Sequence, residues 1–217
     1  MRAGGRFTPE RRALWLNSAC RHVLASMSIE VDYEGPLPER GLVVANHLSY
    51  LDIAILAAVM PCCFVAKKEI NRWPYFGKAA RAGGTIFLDR ASMTSANRAA
   101  EQIAERLGEC VPVLLFPEGT STDGSQVLRF HGRLIQPAIE AGAMVTAAAI
   151  RYVPSGGEQE RELCWFGDEG FLPHLWKVLG VRGFRAHVRF GEPRMYADRR
   201  TAATAAREEV MAMRATR

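Results

Sequence analysis

The sequence predicts an α/β protein: a single domain with a largely parallel sheet flanked by helices, preceded by an N-terminal amphipathic helix. Three observations lead there. Short apolar runs alternate with helical stretches along most of the chain, and no segment repeats another. The 217 residues are long for one α/β domain but too few for two full ones. A hydrophobic fraction of 48% supplies a sizeable core.

The elements follow in order. Thr8-Pro9-Glu10 reads as a helix start and leads into RRALWLNSACRHVLASM. Leu14, Trp15, Cys20, Val23, Leu24 and Met27 give that helix an apolar side, and Arg11, Arg12, Arg21 and His22 make it cationic. It suits either the headgroup boundary of an anionic bilayer or packing on its own domain. Residues 1–28 are therefore read as an N-terminal amphipathic segment, and 29–217 as the main domain. Apolar runs predict strands at 29–33, 42–45, 62–66, 85–88, 111–116, 144–150, 163–166 and 186–190. Helical patterns fall at 49–59, 73–82, 92–107, 132–141 and 171–179, and a polar, alanine-rich one closes the chain at 201–213.

A formal charge of +5 favours acidic partners such as phosphorylated metabolites or anionic lipid surfaces. Nucleic acid is not expected, because no basic stripe is interleaved with aromatics. Five cysteines, with Cys62 and Cys63 adjacent and no C-x-x-C, suit a reducing compartment, without a disulfide framework or a metal site. No signal peptide is visible, and the longest apolar run, 53–65, is broken by Pro61 and too short to span a bilayer.

Ligands of parallel sheets bind at the carboxyl ends of strands, so the loops after the strands are where chemistry is expected. VVANHLSYLD sets His47 after an apolar strand, with Asp52 five positions on. Positions five apart diverge by roughly 140° on one helix, so the pair meets only if His47 lies in the bend and Asp52 in the first helical turn. Ser49 as N-cap and Asp52 three residues later support that geometry; a plain capping residue and a loop histidine are the bland alternative. GGTIFLDR ends its strand on Arg90, suited to bidentate phosphate binding or to a surface ion pair. In VPVLLFPEGTSTDG a buried strand runs into Phe116-Pro117-Glu118-Gly119-Thr120, a sharp turn able to form an anion nest, with the Thr120 hydroxyl beside it. No G-x-x-x-x-G-K-[ST] is present, so the turn is not a nucleotide P-loop.

NHLSYLD, GGTIFLDR and FPEGTS, in that order, resemble the first three signature blocks of the glycerolipid (1-acylglycerol-3-phosphate) acyltransferases, across roughly 41–152. LRFHGRLIQPAIEAGAMVTAAAIRY and CWFGDEGFLPHLWKVLG extend the likeness towards the bacterial lyso-ornithine lipid acyltransferases. The resemblance implies a glycerolipid acyltransferase-like fold, with His47 and Asp52 catalytic and Arg90, Glu118, Gly119 and Thr120 binding the acceptor headgroup. No metal and no cofactor is implied beyond an acyl-carrier-protein or coenzyme A thioester as co-substrate. The sequence departs from the family at Ser121, where many members have a second phosphate-binding arginine, and at Val145-Thr146-Ala147-Ala148, where a proline is usual.

That chemistry accounts for the His–Asp pair. A lysolipid hydroxyl attacking a thioester needs a base; neutral histidine serves at cytoplasmic pH, and Asp52 would hold its tautomer. A backbone N–H near Ser49 is the candidate for the oxyanion, and Glu118 is expected to orient Arg90 or its own loop. The expected activity is acyl transfer to a lysophospholipid hydroxyl by a peripheral protein on the cytoplasmic face of the inner membrane. Lyso-ornithine lipid is the alternative acceptor, and thioester hydrolysis the alternative reaction.

Overall fold

The computed structural model describes residues 8–73, 75–89 and 92–216. In chain order the elements are α1 (Pro9–Ser26), β1 (Ile29–Glu34), β2 (Leu42–Ala45), α2 (Leu51–Val59), β3 (Cys63–Lys67), α3 (Phe76–Ala82), β4 (Ile86–Leu88), α4 (Met93–Leu107), β5 (Val113–Leu115), α5 (Gln136–Glu140), β6 (Val145–Pro154), α6 (Glu160–Leu163), α7 (Phe171–Gly180), β7 (Phe184–Phe190) and α8 (Arg199–Ala215). The seven strands form one sheet in the order β1-β7-β6-β2-β5-β3-β4. Neighbours are parallel except β6 and β7, which run antiparallel from Ala148↔Phe190 to Pro154↔Phe184.

Strand β2 shows why these residues form a central strand. All four are buried and they alternate between the two faces: Val43 and Ala45 join one apolar cluster, Leu42 and Val44 the other. Helices α1, α2 and α7 cover the first face, and α4, α5 and α8 the second. Small residues let α8 lie close on the sheet through Ala202, Ala203, Ala206 and Val210. The carboxyl ends of the parallel strands β2, β5, β3 and β4 lie side by side, which gathers the loops after them along one edge.

Helix α1 begins as expected, with Thr8 accepting the Arg11 amide and Pro9 in its first turn. It packs on the domain. Leu16 and Leu24 are buried in the first-face core, with Cys20 and Met27 against it, and the Asn17 side chain donates to the carbonyls of Ala57 and Ala58 at the end of α2. Of the two uses open to the apolar side, Leu24 takes the second and points into the protein. Leu14, Trp15 and Val23 remain exposed.

Three expectations change. Residues 163–166 form no strand: a capping box between Gln159 and Glu162 turns the chain into α6, which ends at Leu163, and the rest of the run packs as a loop over the first-face core, Cys164 buried and Trp165 and Phe166 partly so. The stretch 132–141 splits into a 3₁₀ turn, Gly132–Leu134, and α5, whose first turn holds Pro137. Helix α3 starts three residues late, after a 3₁₀ turn at Lys68–Arg72.

Candidate active site

The chain leaves β2 at Ala45, and the Asn46 side chain continues the pairing with β6. Its Nδ2 donates to the Ile150 carbonyl (3.1 Å) and its Oδ1 accepts the Ile150 amide (2.8 Å). This fixed departure delivers His47 to the strand end. The His47 peptide is held from both sides by the loop after β5. Glu118 Oε1 accepts the His47 amide at 2.8 Å, and the Thr122 amide donates to the His47 carbonyl at 2.9 Å, with the Thr122 hydroxyl 3.3 Å from the same oxygen. The imidazole stacks on Phe116, ring centroids 4.2 Å apart and planes 14° from parallel.

His47 Nδ1 lies 2.7 Å from Asp52 Oδ2. Asp52, fully buried in the first turn of α2, also accepts the amides of Leu48 (2.6 Å) and Ser49 (3.0 Å) on that oxygen, while the Tyr152 hydroxyl donates to Oδ1. Four donors and the positive end of a helix stabilise a buried carboxylate. An ionised carboxylate only accepts, so Nδ1 carries the hydrogen and Nε2 is the basic nitrogen. Among the described residues nothing hydrogen-bonds to Nε2. The predicted meeting of bend and helix start is thus observed, with two adjustments. Helix α2 begins at Leu51 after Tyr50, and the Ser49 hydroxyl lies 3.4 Å from the Leu51 amide. The amides of Leu48 and Ser49 serve Asp52, which removes them as candidates for an oxyanion.

His47 lines a cleft of about 530 Å³ with Tyr50, Phe116, Gly119, Thr120 and Trp165. A second hollow of about 370 Å³ adjoins it behind Phe116, with Leu88, Leu115 and Leu134 in its wall. Gly119 and Thr120 line both. Gly119 closes a turn with its amide on the Phe116 carbonyl (3.2 Å) and has φ +80°, a backbone state that favours glycine. Glu118 is only 4% exposed, and its second oxygen accepts the Leu128 amide at 2.7 Å. Desolvation pushes its carboxyl up to about 7 against the pull of these two amides. Main-chain groups engage both oxygens, so Glu118 ties the His47 peptide and the Leu128 segment to its own turn. Arg90 lies outside the described residues; Asp89 before it lines the cleft and pairs with Lys68.

Sequence reasoning missed Thr122, Tyr152 and the aromatic wall. Tyr50 packs edge-on against Trp165 (5.7 Å) and Phe171 (5.0 Å), and Trp73 lies 4.5 Å from Phe171. No spacing rule links Tyr152 to a site 100 residues earlier. Thr122 was within reach, lying two residues beyond the recognised turn. Among the described residues no group of His, Cys, Asp and Glu is arranged to hold a metal ion, and no helix is long and apolar enough to cross a membrane.

An α/β sheet carrying a His–Asp pair at one strand end and a Glu-Gly-Thr turn at the next is the arrangement of an acyltransferase, and the model of the acyltransferase family matches residues 28–151; the chain belongs to that family. A lyso-ornithine lipid O-acyltransferase of Pseudomonas aeruginosa is 37% identical over 88% of this chain and 73% of its own. A 1-acyl-sn-glycerol-3-phosphate acyltransferase of Neisseria meningitidis serogroup B is 35% identical over 84% and 72%. The crystal structure of the 1-acyl-sn-glycerophosphate (LPA) acyltransferase of Thermotoga maritima shares the fold, with a TM-score of 0.69 over 96% of this chain and 82% of that one, at 20% identity.

Proposed function

We propose that this chain transfers a fatty acyl group from an acyl-carrier-protein or coenzyme A thioester to the free hydroxyl of a lysophospholipid of the 1-acyl-glycerol-3-phosphate type. The observation that carries this is the His47–Asp52 pair on the wall of a cleft, with Nε2 unengaged among the described residues. The acceptor hydroxyl oxygen attacks the thioester carbonyl as Nε2 takes its proton. The tetrahedral intermediate collapses, the C–S bond breaks, and the imidazolium returns the proton to the departing thiolate. Asp52 holds the tautomer and balances the imidazolium charge, and Tyr152 and Glu118 are positioning residues. Gly119, Thr120 and Arg90 meet the acceptor headgroup, and the adjoining apolar hollow has room for part of an acyl chain. The reaction needs no cofactor beyond the thioester. The protein works as a peripheral one, at the cytoplasmic face of the inner membrane.

The relative from Pseudomonas and the serine at position 121 favour lyso-ornithine lipid as the second reading. One assay separates the readings. Purified protein receives radiolabelled acyl-carrier-protein or acyl-coenzyme A and a panel of lysolipids. Labelled phosphatidate supports the first reading, labelled ornithine lipid the second, and free fatty acid alone a thioester hydrolase. His47→Ala should lower turnover at least about 100-fold, and near-wild-type transfer by that variant would sink the mechanism. Arg90→Ala should chiefly raise the acceptor KM.

A further inference from the structure

Helix α7 is apolar on two sides. Phe171, His174, Leu175 and Val178 pack inward at helical spacing, His174 and Val178 being fully buried. The flank next to it carries Leu172 (62% exposed), Trp176 (72%) and Leu179 (50%), a stripe of about 10 Å at 1.5 Å per residue. A helix with two apolar sides that is buried on only one of them has a second apolar neighbour.

The stripe adjoins the candidate active site. Phe171, next to Leu172, touches Tyr50 and Trp73, which line the cleft with His47. Phe171 also packs at 5.4 Å on Phe76 of α3, beside Tyr75, whose ring is 84% exposed. The apolar surface thus continues from the cleft wall onto α3. Its borders carry more cations than anions: Arg72, Lys78 and Arg81 are exposed around Tyr75 and Phe76 and Arg182 lies beyond the stripe, against the exposed Glu69 and Asp168, while Lys177 pairs with Glu169 at 2.9 Å.

We infer that Leu172, Trp176 and Leu179, continued by Tyr75 and Phe76, form the surface that seats the cleft mouth on an anionic bilayer, in addition to the exposed face of α1. This rests on the proposed lipid acceptor. A tryptophan between two leucines, with Arg72, Lys78 and Arg81 on the border of the same surface, suits the headgroup boundary, where the apolar side chains enter and the cations meet lipid phosphates. The charge complements an anionic leaflet. A second copy of this chain would bring an equally cationic border against it. A lysolipid sliding out of the bilayer along this surface reaches His47 without its acyl chain crossing water.

The test uses the full chain with Leu172 and Trp176 both changed to serine, substitutions at exposed positions whose folding is checked by thermal melting. Binding is read by co-sedimentation with phosphatidylglycerol–phosphatidylethanolamine vesicles. Transfer is read on lysophosphatidate in vesicles and in detergent micelles. The variant should lose about tenfold or more in vesicle partition, with transfer on vesicles falling in step and transfer in micelles little changed. Unchanged partition would overturn the inference. So would an equal loss in vesicles and micelles, or a wild-type dimer that the substitutions convert to monomer. If the wild type transfers no acyl group to lysophosphatidate or to lyso-ornithine lipid in either medium, the proposed reaction fails, and the partition comparison still decides the docking surface.

Discussion

Tyr152, on β6, donates its hydroxyl hydrogen to Oδ1 of Asp52, in the first turn of α2. The contact is fully buried and joins the His47 loop to the middle of the sheet. Tyr152→Phe keeps the ring and its packing on Phe184, 4.9 Å away, and removes only the donor. A hydrogen bond to a buried charge contributes about 1.5–3 kcal/mol. Turnover should therefore fall by about tenfold or more with the acceptor KM little changed, a smaller loss than that of His47→Ala. Separate kcat and KM values together with melting curves check this; wild-type kcat in Tyr152→Phe would show that Asp52 does not depend on the hydroxyl.

Glu118 makes stability depend on pH in an unusual direction. Its carboxyl is raised from 4.5 to about 7 by burial, so between those values the folded chain keeps a proton that the unfolded chain has lost. Rising pH then favours unfolding: the contribution is complete below about 4.5 and gone above about 7. The wild type should lose on the order of a few kcal/mol across that window that Glu118→Gln does not lose, whatever the variant's overall offset. Urea unfolding of both proteins at half-unit steps from pH 4.5 to 7.5 gives the two slopes. Parallel slopes would contradict the assignment.

The two sides of α1 should respond differently to serine. Leu24 is buried in the first-face core, and Leu24→Ser should lower stability by about 2–4 kcal/mol, read as a fall in melting temperature. Trp15 is exposed, and Trp15→Ser should leave the melt unchanged while weakening sedimentation with anionic vesicles, more at low salt than at high. Removing the whole helix would also remove Leu16, Leu24 and the Asn17 bonds to α2, so the point changes are the cleaner comparison. Unaltered vesicle binding in Trp15→Ser would remove the helix from the docking surface.

The parts of this architecture written locally were legible in the sequence. Strand β2 was placed to the residue because four apolar side chains in a row leave little choice, and the His47–Asp52 meeting followed from helical geometry over five positions. The 163–166 run misled because apolar content alone does not separate a buried strand from a buried loop, and the Gln159–Glu162 capping box just before it went unread. Glu118 was recognised by its place in a motif, yet its partners are amides 71 and 10 residues away, and no pattern in one chain specifies such pairs. Tyr152 lay inside a quoted stretch but carried no local sign of its target.

The clamp that Glu118 and Thr122 place on the His47 peptide ties two loops into one mechanical part. On the proposed acceptor site, a change in the turn that meets the lipid is then also a change in where the imidazole sits. Exchanging residues 117–122 for the corresponding turn of a relative, in order to change which lipid is accepted, would also rehang the imidazole over its aspartate. Segments 46–49 and 117–122 are best transplanted together, and a chimera carrying only one of them inherits an imidazole hung from a loop it no longer has.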